Sequence, residues 1–210
     1  MSSRGLGDVY KRQCEGLVLA GGQSTRMQGQ NKALIELNGA PLLAHAIVQL
    51  NSHCARVSIA AGTHKQQYQT QFADHTLLED SGTEGPLAGL IVGLNTLEAA
   101  DWLITNPCDT PLAGQNWPKA LLQAQTDNAN CKAFFIEHSG SPYYAHALWH
   151  KSVIPIMEDA LKRGKRSIKG CLSQISALPV TLPNDYEGCF DNLNSAQDVA
   201  NLRIKLGATE

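Results

Sequence analysis

The chain carries no excess of either charge: 17 lysines and arginines stand against 19 aspartates and glutamates, a formal net charge of −2. Surfaces that bind nucleic acid are usually strongly basic, so no nucleic acid is expected as a partner, and an anionic membrane has nothing to attract. No apolar run approaches the roughly 20 residues that a spanning helix needs, and no N-terminal stretch reads as a signal sequence. A cytoplasmic protein is the expectation. The six cysteines (14, 54, 108, 131, 171 and 189) never form a C-x-x-C pair. With 43% hydrophobic residues over 210, the chain can bury a core without covalent staples, so free thiols are expected. Neither G-x-G-x-x-G, G-K-[ST] nor H-E-x-x-H occurs, which removes the dinucleotide fingerprint, the Walker A loop and the helical zinc site.

Residues 1–13 (MSSRGLGDVYKRQ) are basic and lack periodicity. They are read as foreign to the domain, a translated adapter, with a flexible tail as the other reading. From residue 14 short apolar runs alternate with helical periodicity, and no repeat, low-complexity tract or linker interrupts them. Strands are predicted at 16–19, 57–61, 76–78, 102–105 (stopping at Asn106-Pro107), 133–137, 143–148 and 178–182. Helices are predicted at 41–50, 86–97, 117–125, 153–161, from about 168, and from Ser195, where Asp198 completes a capping box and Val199, Leu202 and Leu206 give the apolar face. Strands alternating with helices imply βαβ units. The expectation is one Rossmann-like α/β domain over 14–210, with a mostly parallel central sheet and helices on both faces.

Such sheets bind ligands outside the carboxyl ends of their strands, and the unusual residues fall there. The first loop runs Leu19-Ala20-Gly21-Gly22-Gln23-Ser24-Thr25-Arg26-Met27, then Gly29 and Lys32. Glycines directly after a strand let backbone N–H groups approach an anion, and Arg26 and Lys32 supply charge for phosphate oxygens; a tight turn is the plainer alternative. The loop at 106–111 places Asp109 after an apolar strand. A carboxylate there can hold Mg²⁺ against nucleotide phosphates, because that ion favours one or two carboxylates with phosphate and water; an Asx-turn would read alike. Asp80 follows a short strand, and Pro86 opens a helix whose N-terminus could face phosphate. Asn192 and Asn194 flank the start of the last helix, as ligands or as caps.

In this order and spacing the loops resemble the molybdenum cofactor guanylyltransferase family. Leu19 to Met27 with Lys32 match its opening pattern L-A-G-G-x-x-x-R-M-G plus lysine. Gly85 to Gly89 match its G-P-L-A-G, Pro107 to Pro111 its P-C-D-T-P, and Phe190 to Asn194 its F-x-N-x-N. Gly164-Lys165-Arg166-Ser167 looks like its basic turn, and the resemblance runs from about Glu15 to Leu206. It implies that Leu19, Ala20, Gly21 and Gly22 contact the nucleotide, that Lys32 and Asp80 bind GTP, and that Asp109 binds GTP together with Mg²⁺. It further implies that Asn192 and Asn194 contact the pterin, that Arg26, Lys32 and Asp109 serve catalysis, and that molybdoenzymes or other cofactor-biosynthesis proteins are partners. Three positions depart: Gln28 for a common glycine, Asn31 for an aspartate, and Ala60 for an asparagine near the base.

The implied reaction transfers GMP from GTP to the terminal phosphate of molybdopterin and releases pyrophosphate. Ala60 leaves open cytidylyl transfer to the same pterin, or another small-molecule transferase acting on a sugar phosphate. A nucleotide-binding adaptor that delivers cofactor is the alternative without catalysis, disfavoured by Lys32 and Asp109 together. His146 and His150 are placed across a strand-to-helix boundary and the remaining histidines are scattered, so spacing yields no metal cluster. Cys108 beside Asp109 is read as a packed thiol, since no base partners it. The basic run 162–166 is a solvated helix end or an attractor for an anionic substrate.

Overall fold

The computed structural model describes residues 14–22, 31–79, 85–186 and 188–205. Residues 1–13, the segment 23–30 with Arg26 and Gln28, the segment 80–84 with Asp80, and Leu206 lie outside them. The first half carries β1 (Cys14–Leu19), β2 (Glu36–Leu37), β3 (Ala40–Pro41), α1 (Leu42–Asn51), β4 (Val57–Ala60), α2 (Lys65–Tyr68), β5 (Thr76–Leu78), α3 (Pro86–Asn95) and β6 (Trp102–Pro107). The second carries α4 (Trp117–Asp127), β7 (Ala133–His138), β8 (Ser141–His150), α5 (Ile154–Lys162), α6 (Lys169–Leu172), β9 (Ala177–Thr181) and α7 (Ala196–Lys205).

Seven strands form one sheet in the order β5-β4-β1-β6-β8-β7-β9. β1 pairs in parallel with β4 on one side and β6 on the other, so the chain reverses its winding direction beside β1. β8 is antiparallel to both neighbours, which makes the sheet mostly parallel. Helices cover both faces: α1 and α4 supply Leu43, Ile47, Leu50, Trp117 and Leu121 to one apolar cluster, and α3 and α5 supply Leu87, Leu90, Leu94 and Met157 to the other. Covered on both sides, β1 reads as a continuous apolar run rather than an alternating one. A smaller cluster of Leu37, Leu42, Leu193, Val199 and Leu202 seats α7 on the β2–β3 hairpin.

Several boundaries differ from the sequence reading, each for a physical reason. β6 continues through Asn106 and Pro107. Asn106 is fully buried, but its amide donates to Ala46 O at 3.0 Å and Gln49 Oε1 at 2.8 Å, so the strand accepts a polar residue without leaving that donor unpaired. β8 spans both His146 and His150, which therefore share one strand and do not straddle a boundary. Pro41 precedes α1 as its cap instead of entering its first turn, and α6 is a single short turn of four residues. The two-residue strands of the β2–β3 hairpin carry no period that a sequence could display. The capping box at α7 forms as expected: Asp198 N donates to Ser195 Oγ at 3.1 Å, and Asp198 Oδ2 accepts from Ser195 N at 2.8 Å. No described helix is long and apolar enough to cross a membrane, and the six cysteines are free thiols.

Candidate functional site

Three segments far apart in sequence meet at the carboxyl ends of β1 and β6. Lys32 sits in a short 3₁₀ turn that Asn31 caps by accepting from Ala33 N at 3.1 Å. Its Nζ donates to Asp109 Oδ2 at 2.9 Å, across 77 residues, and to Asn194 Oδ1 at 3.3 Å, across 162. The Lys32 and Asp109 side chains retain 16% and 23% exposure, so the pair is sheltered yet reachable by a ligand.

Asp109 is held from several directions. Its carbonyl accepts from Leu193 N at 2.9 Å, which ties the 190–194 loop to the end of β6. Gln49 of α1 donates to Thr110 O and Pro111 O at 3.2 and 3.0 Å. Thr110 Oγ1 and His146 Nε2 are hydrogen-bonded at 2.9 Å. His146 is edge-on to Trp117 and Phe190, with ring centroids 5.0 and 4.9 Å away, and burial lowers its pKa to about 3, so it stays a neutral strut at any ordinary pH. Neither Gln49 nor His146 was singled out as functional from the sequence. Gln49 follows the helical stripe, and His146 occupies an inward position of an otherwise apolar strand; a buried polar residue at such a place is the signal that was available. Beside Asp109, burial and then the Asp109 charge push the Cys108 thiol up to about 12, which leaves it protonated and unreactive.

The opening loop approaches closely because Gly21 lacks a side chain. A Cβ there would meet Gly62 N at 3.0 Å and Gly62 Cα at 3.1 Å. Leu19 O accepts from Cys108 N at 3.3 Å, Ala20 N donates to Ala60 O at 3.0 Å, and Ala20 O accepts from the buried Tyr68 hydroxyl at 2.9 Å. Leu19 and Ala20 therefore spend backbone groups on the fold, and Gly22, where a Cβ would meet nothing within 4 Å, is the open position. Asn31 also has a reason to be an amide: Oδ1 accepts from Tyr68 Oη at 3.0 Å, while Nδ2 donates to Gln67 Oε1 at 2.7 Å. An aspartate could not donate there, and would keep the contact only if the Gln67 amide turned over to donate to it. Ala60 is 2% exposed and belongs to the apolar cluster that holds Leu78 and Leu87.

The two amides of the 190–194 loop differ in one contact, since only Asn194 meets Lys32. Phe190, 2% exposed, anchors the loop against Tyr143 and Tyr186 at centroid distances of 4.9 and 5.9 Å. Asn192 and Asp109 line a cavity of about 340 Å³ whose other walls include Tyr143, Tyr144, Ser167 and Lys169. Asn194 instead accepts from Lys32 and, together with Asn192, lines a neighbouring depression of about 440 Å³ beside α7. Pro86, the first residue of α3, borders the first cavity. The free N-terminus expected there is partly engaged: Leu87 N donates to Arg166 O at 3.4 Å. Gly85 enables this approach with φ of +72°, since a Cβ would meet the Arg166 carbonyl oxygen at 3.0 Å. Among the described residues no cluster of three or more histidine, cysteine or acidic side chains is assembled for a metal.

A family model described as MobA-like NTP transferase domain matches residues 16–177. A molybdenum cofactor guanylyltransferase of Vibrio cholerae serotype O1 is 35% identical over 185 residues, 88% of this chain and 88% of that protein. A molybdenum cofactor guanylyltransferase of Aliivibrio salmonicida is 32% identical over 195 residues, covering 91% of this chain and 96% of its own. Among solved structures, molybdopterin-guanine dinucleotide biosynthesis protein A from Archaeoglobus fulgidus superposes with a TM-score of 0.73 at 19% identity, over 93% of this chain and 100% of that one. A CMP:2-keto-3-deoxy-manno-octonic acid synthetase complexed with CTP superposes at 0.70 with 13% identity, over 93% and 98%. At these identities the structural matches speak for the fold alone.

Proposed function

This chain belongs to the MobA-like NTP transferase family, and on that premise we propose that it transfers GMP from GTP to the terminal phosphate of molybdopterin, releasing pyrophosphate. The observation that carries the reading is the Lys32–Asp109 pair, 2.9 Å apart at the carboxyl ends of the central strands, with Asp109 on the wall of a cavity large enough for a second substrate.

In this reading an oxygen of the acceptor phosphate attacks the α-phosphorus of GTP. A new P–O–P bond forms as the bond to the β-phosphate breaks, and the electron pair leaves with pyrophosphate. The attacking oxygen is anionic at neutral pH, so no general base is required, and the chain's task is positioning and charge neutralisation. Gly21 and Gly22 bring backbone to the nucleotide. Lys32, with Arg26 from the segment outside the described residues, neutralises the β- and γ-phosphates. Gln49 and His146 hold the loop that presents Asp109. The donor set at the site fits Mg²⁺ shared with a nucleotide: one carboxylate, Asp109, with the rest of the shell left to phosphate and water. Bound there, the ion supplies electrostatic stabilisation of charge developing on the phosphates. Leu19, Ala20, Asp80 and Asn192 complete the contacts proposed for nucleotide and pterin. For Asn194, whose Oδ1 accepts from Lys32, the proposed part is to orient that lysine.

One observation favours a second reading, cytidylyl transfer to the same acceptor. Ala60 is apolar and buried, so the side chain at that position cannot read a guanine edge, and base selection falls to the backbone of Gly21 and Gly22, since Leu19 and Ala20 spend theirs on the fold. The test is to incubate the protein with labelled GTP, Mg²⁺ and molybdopterin. Equimolar pyrophosphate and labelled dinucleotide are expected, abolished by a chelator; nucleotide binding without pyrophosphate release would instead mark a delivery adaptor.

A further inference from the structure

The sequence offered the basic run 162–166 as the attractor for an anionic substrate, but the structure spends three of its cations elsewhere. Arg163 pairs with Asp159 at 2.6 Å, Lys165 Nζ donates to Gly170 O at 3.0 Å, and Arg166 Nη1 donates to Leu161 O at 2.8 Å. The cation that reaches the cavity is the next one along, Lys169 at the start of α6, which shares the wall with Asp109, Asn192, Ser167 and Tyr144. Its ammonium lies 6.0 Å from the Tyr144 ring centroid, and among the described residues no hydrogen bond or salt bridge engages it. Ser167 Oγ accepts from Gly170 N at 3.3 Å, which leaves its hydroxyl proton to donate.

Resting on the function proposed above, we propose that Lys169, assisted by the Ser167 hydroxyl, binds the terminal phosphate of the pterin acceptor. The charge balance favours such a group. A phosphate monoester brings nearly two negative charges into a cavity whose other ionised wall residue is the Asp109 carboxylate. Lys32 does not line this cavity and is already paired with the carboxylate. An ammonium lining the same cavity offsets the repulsion and holds the ester beside Asp109. The tyrosine and proline surfaces at 142–144 are apolar and suit the flat ring rather than the phosphate. Lys169 is a phosphate-binding point charge here, not a bidentate fork, so arginine can replace it and glutamine cannot.

The test compares Lys169→Gln and Lys169→Arg with the unmodified protein. Binding of 6-hydroxymethylpterin phosphate and of its dephosphorylated alcohol is followed by pterin fluorescence. Steady-state constants are measured with molybdopterin and GTP. Lys169→Gln is expected to weaken the phosphate ester at least about tenfold, the worth of one charge-assisted hydrogen bond, while the alcohol binds unchanged. KM for molybdopterin should rise to match, with KM for GTP unchanged, and Lys169→Arg should restore both to within about threefold. Equal loss for ester and alcohol, or no loss in either, overturns the assignment while transfer by the unmodified protein still upholds the proposed function. Failure of the unmodified protein to transfer either GMP or CMP to molybdopterin overturns both.

Discussion

The two ends of β1 each carry an acid–base pair, made from similar groups and put to opposite use. At the amino end Glu15 is 5% exposed. It accepts from Arg56 Nε and Nη2 at 3.1 and 2.7 Å and from the Glu98 and Ala99 amides at 3.1 and 3.4 Å. Arg56 also donates to Glu98 Oε1 at 2.6 Å and Thr96 O at 2.9 Å. The network closes on itself and pins β1 to the loop that precedes β6. At the carboxyl end Lys32 and Asp109 are also in contact, but Asp109 keeps 23% exposure and faces a cavity. In a parallel sheet the loops that bear chemistry leave the carboxyl ends of the strands, so charge at that end is arranged for a guest, and charge at the other end completes the fold.

The comparison breaks most plainly at Asp109. Asp109→Asn keeps the shape and removes the charge, and turnover in saturating Mg²⁺ should fall at least about 100-fold, as for loss of one electrostatic group in a preorganised site. Melting temperature should hold within a few degrees, because the side chain is partly solvated; pyrophosphate release and a thermal scan on one preparation check both. Next in size, Lys32→Ala should lower kcat/KM for GTP by roughly 10- to 100-fold, the worth of a hydrogen bond to a charged group, again with little change in melting.

Glu15→Gln should do the reverse. It should cost about 2 kcal/mol of stability, in the range for hydrogen bonds to charged groups, and leave kcat unchanged. Burial alone would raise the Glu15 carboxyl, but the Arg56 hydrogen bond and the Glu98 and Ala99 amides outweigh it and hold the pKa below the ordinary 4.5. A depressed carboxylate stabilises the fold in full above its unfolded value, and that stabilisation is lost as pH falls through the lower folded value. The gap in denaturant midpoint between Glu15→Gln and the unmodified protein should therefore be widest near neutrality and close progressively below about pH 4.5. The smallest effect belongs to Ser195→Ala, which removes the α7 cap and should cost about 1 kcal/mol, read as faster amide exchange in the first turn of that helix.

The same contrast shows how far the sequence could be read. β1, β4 and β6 were legible because uniform apolar runs ended by glycine or proline announce strands buried on both faces. The segments at 19–22, 32, 109 and 192–194 stood out because polar or glycine residues follow such runs where the fold leaves room for ligands. Strand direction was not legible: alternation along β8 is the same whether it runs parallel or antiparallel, and its antiparallel course is what folds 142–146 over the cavity. Nor could spacing show that Asn194 turns to Lys32 while Asn192 does not, since the two lie one residue apart on opposite sides of the buried Leu193. Asn106 looked like a turn because its partners, Ala46 and Gln49, belong to a helix 57 to 60 residues earlier.

Competition between GTP and CTP for the same molybdopterin, with kcat/KM measured for each, tests the proposed guanylyl transfer most directly. The account predicts a clear preference for GTP, read by the backbone of Gly21 and Gly22, with alanine at position 60 contributing nothing to it. A clear preference for CTP would contradict guanylyl transfer, while the fold and the Lys32–Asp109 site would remain as described.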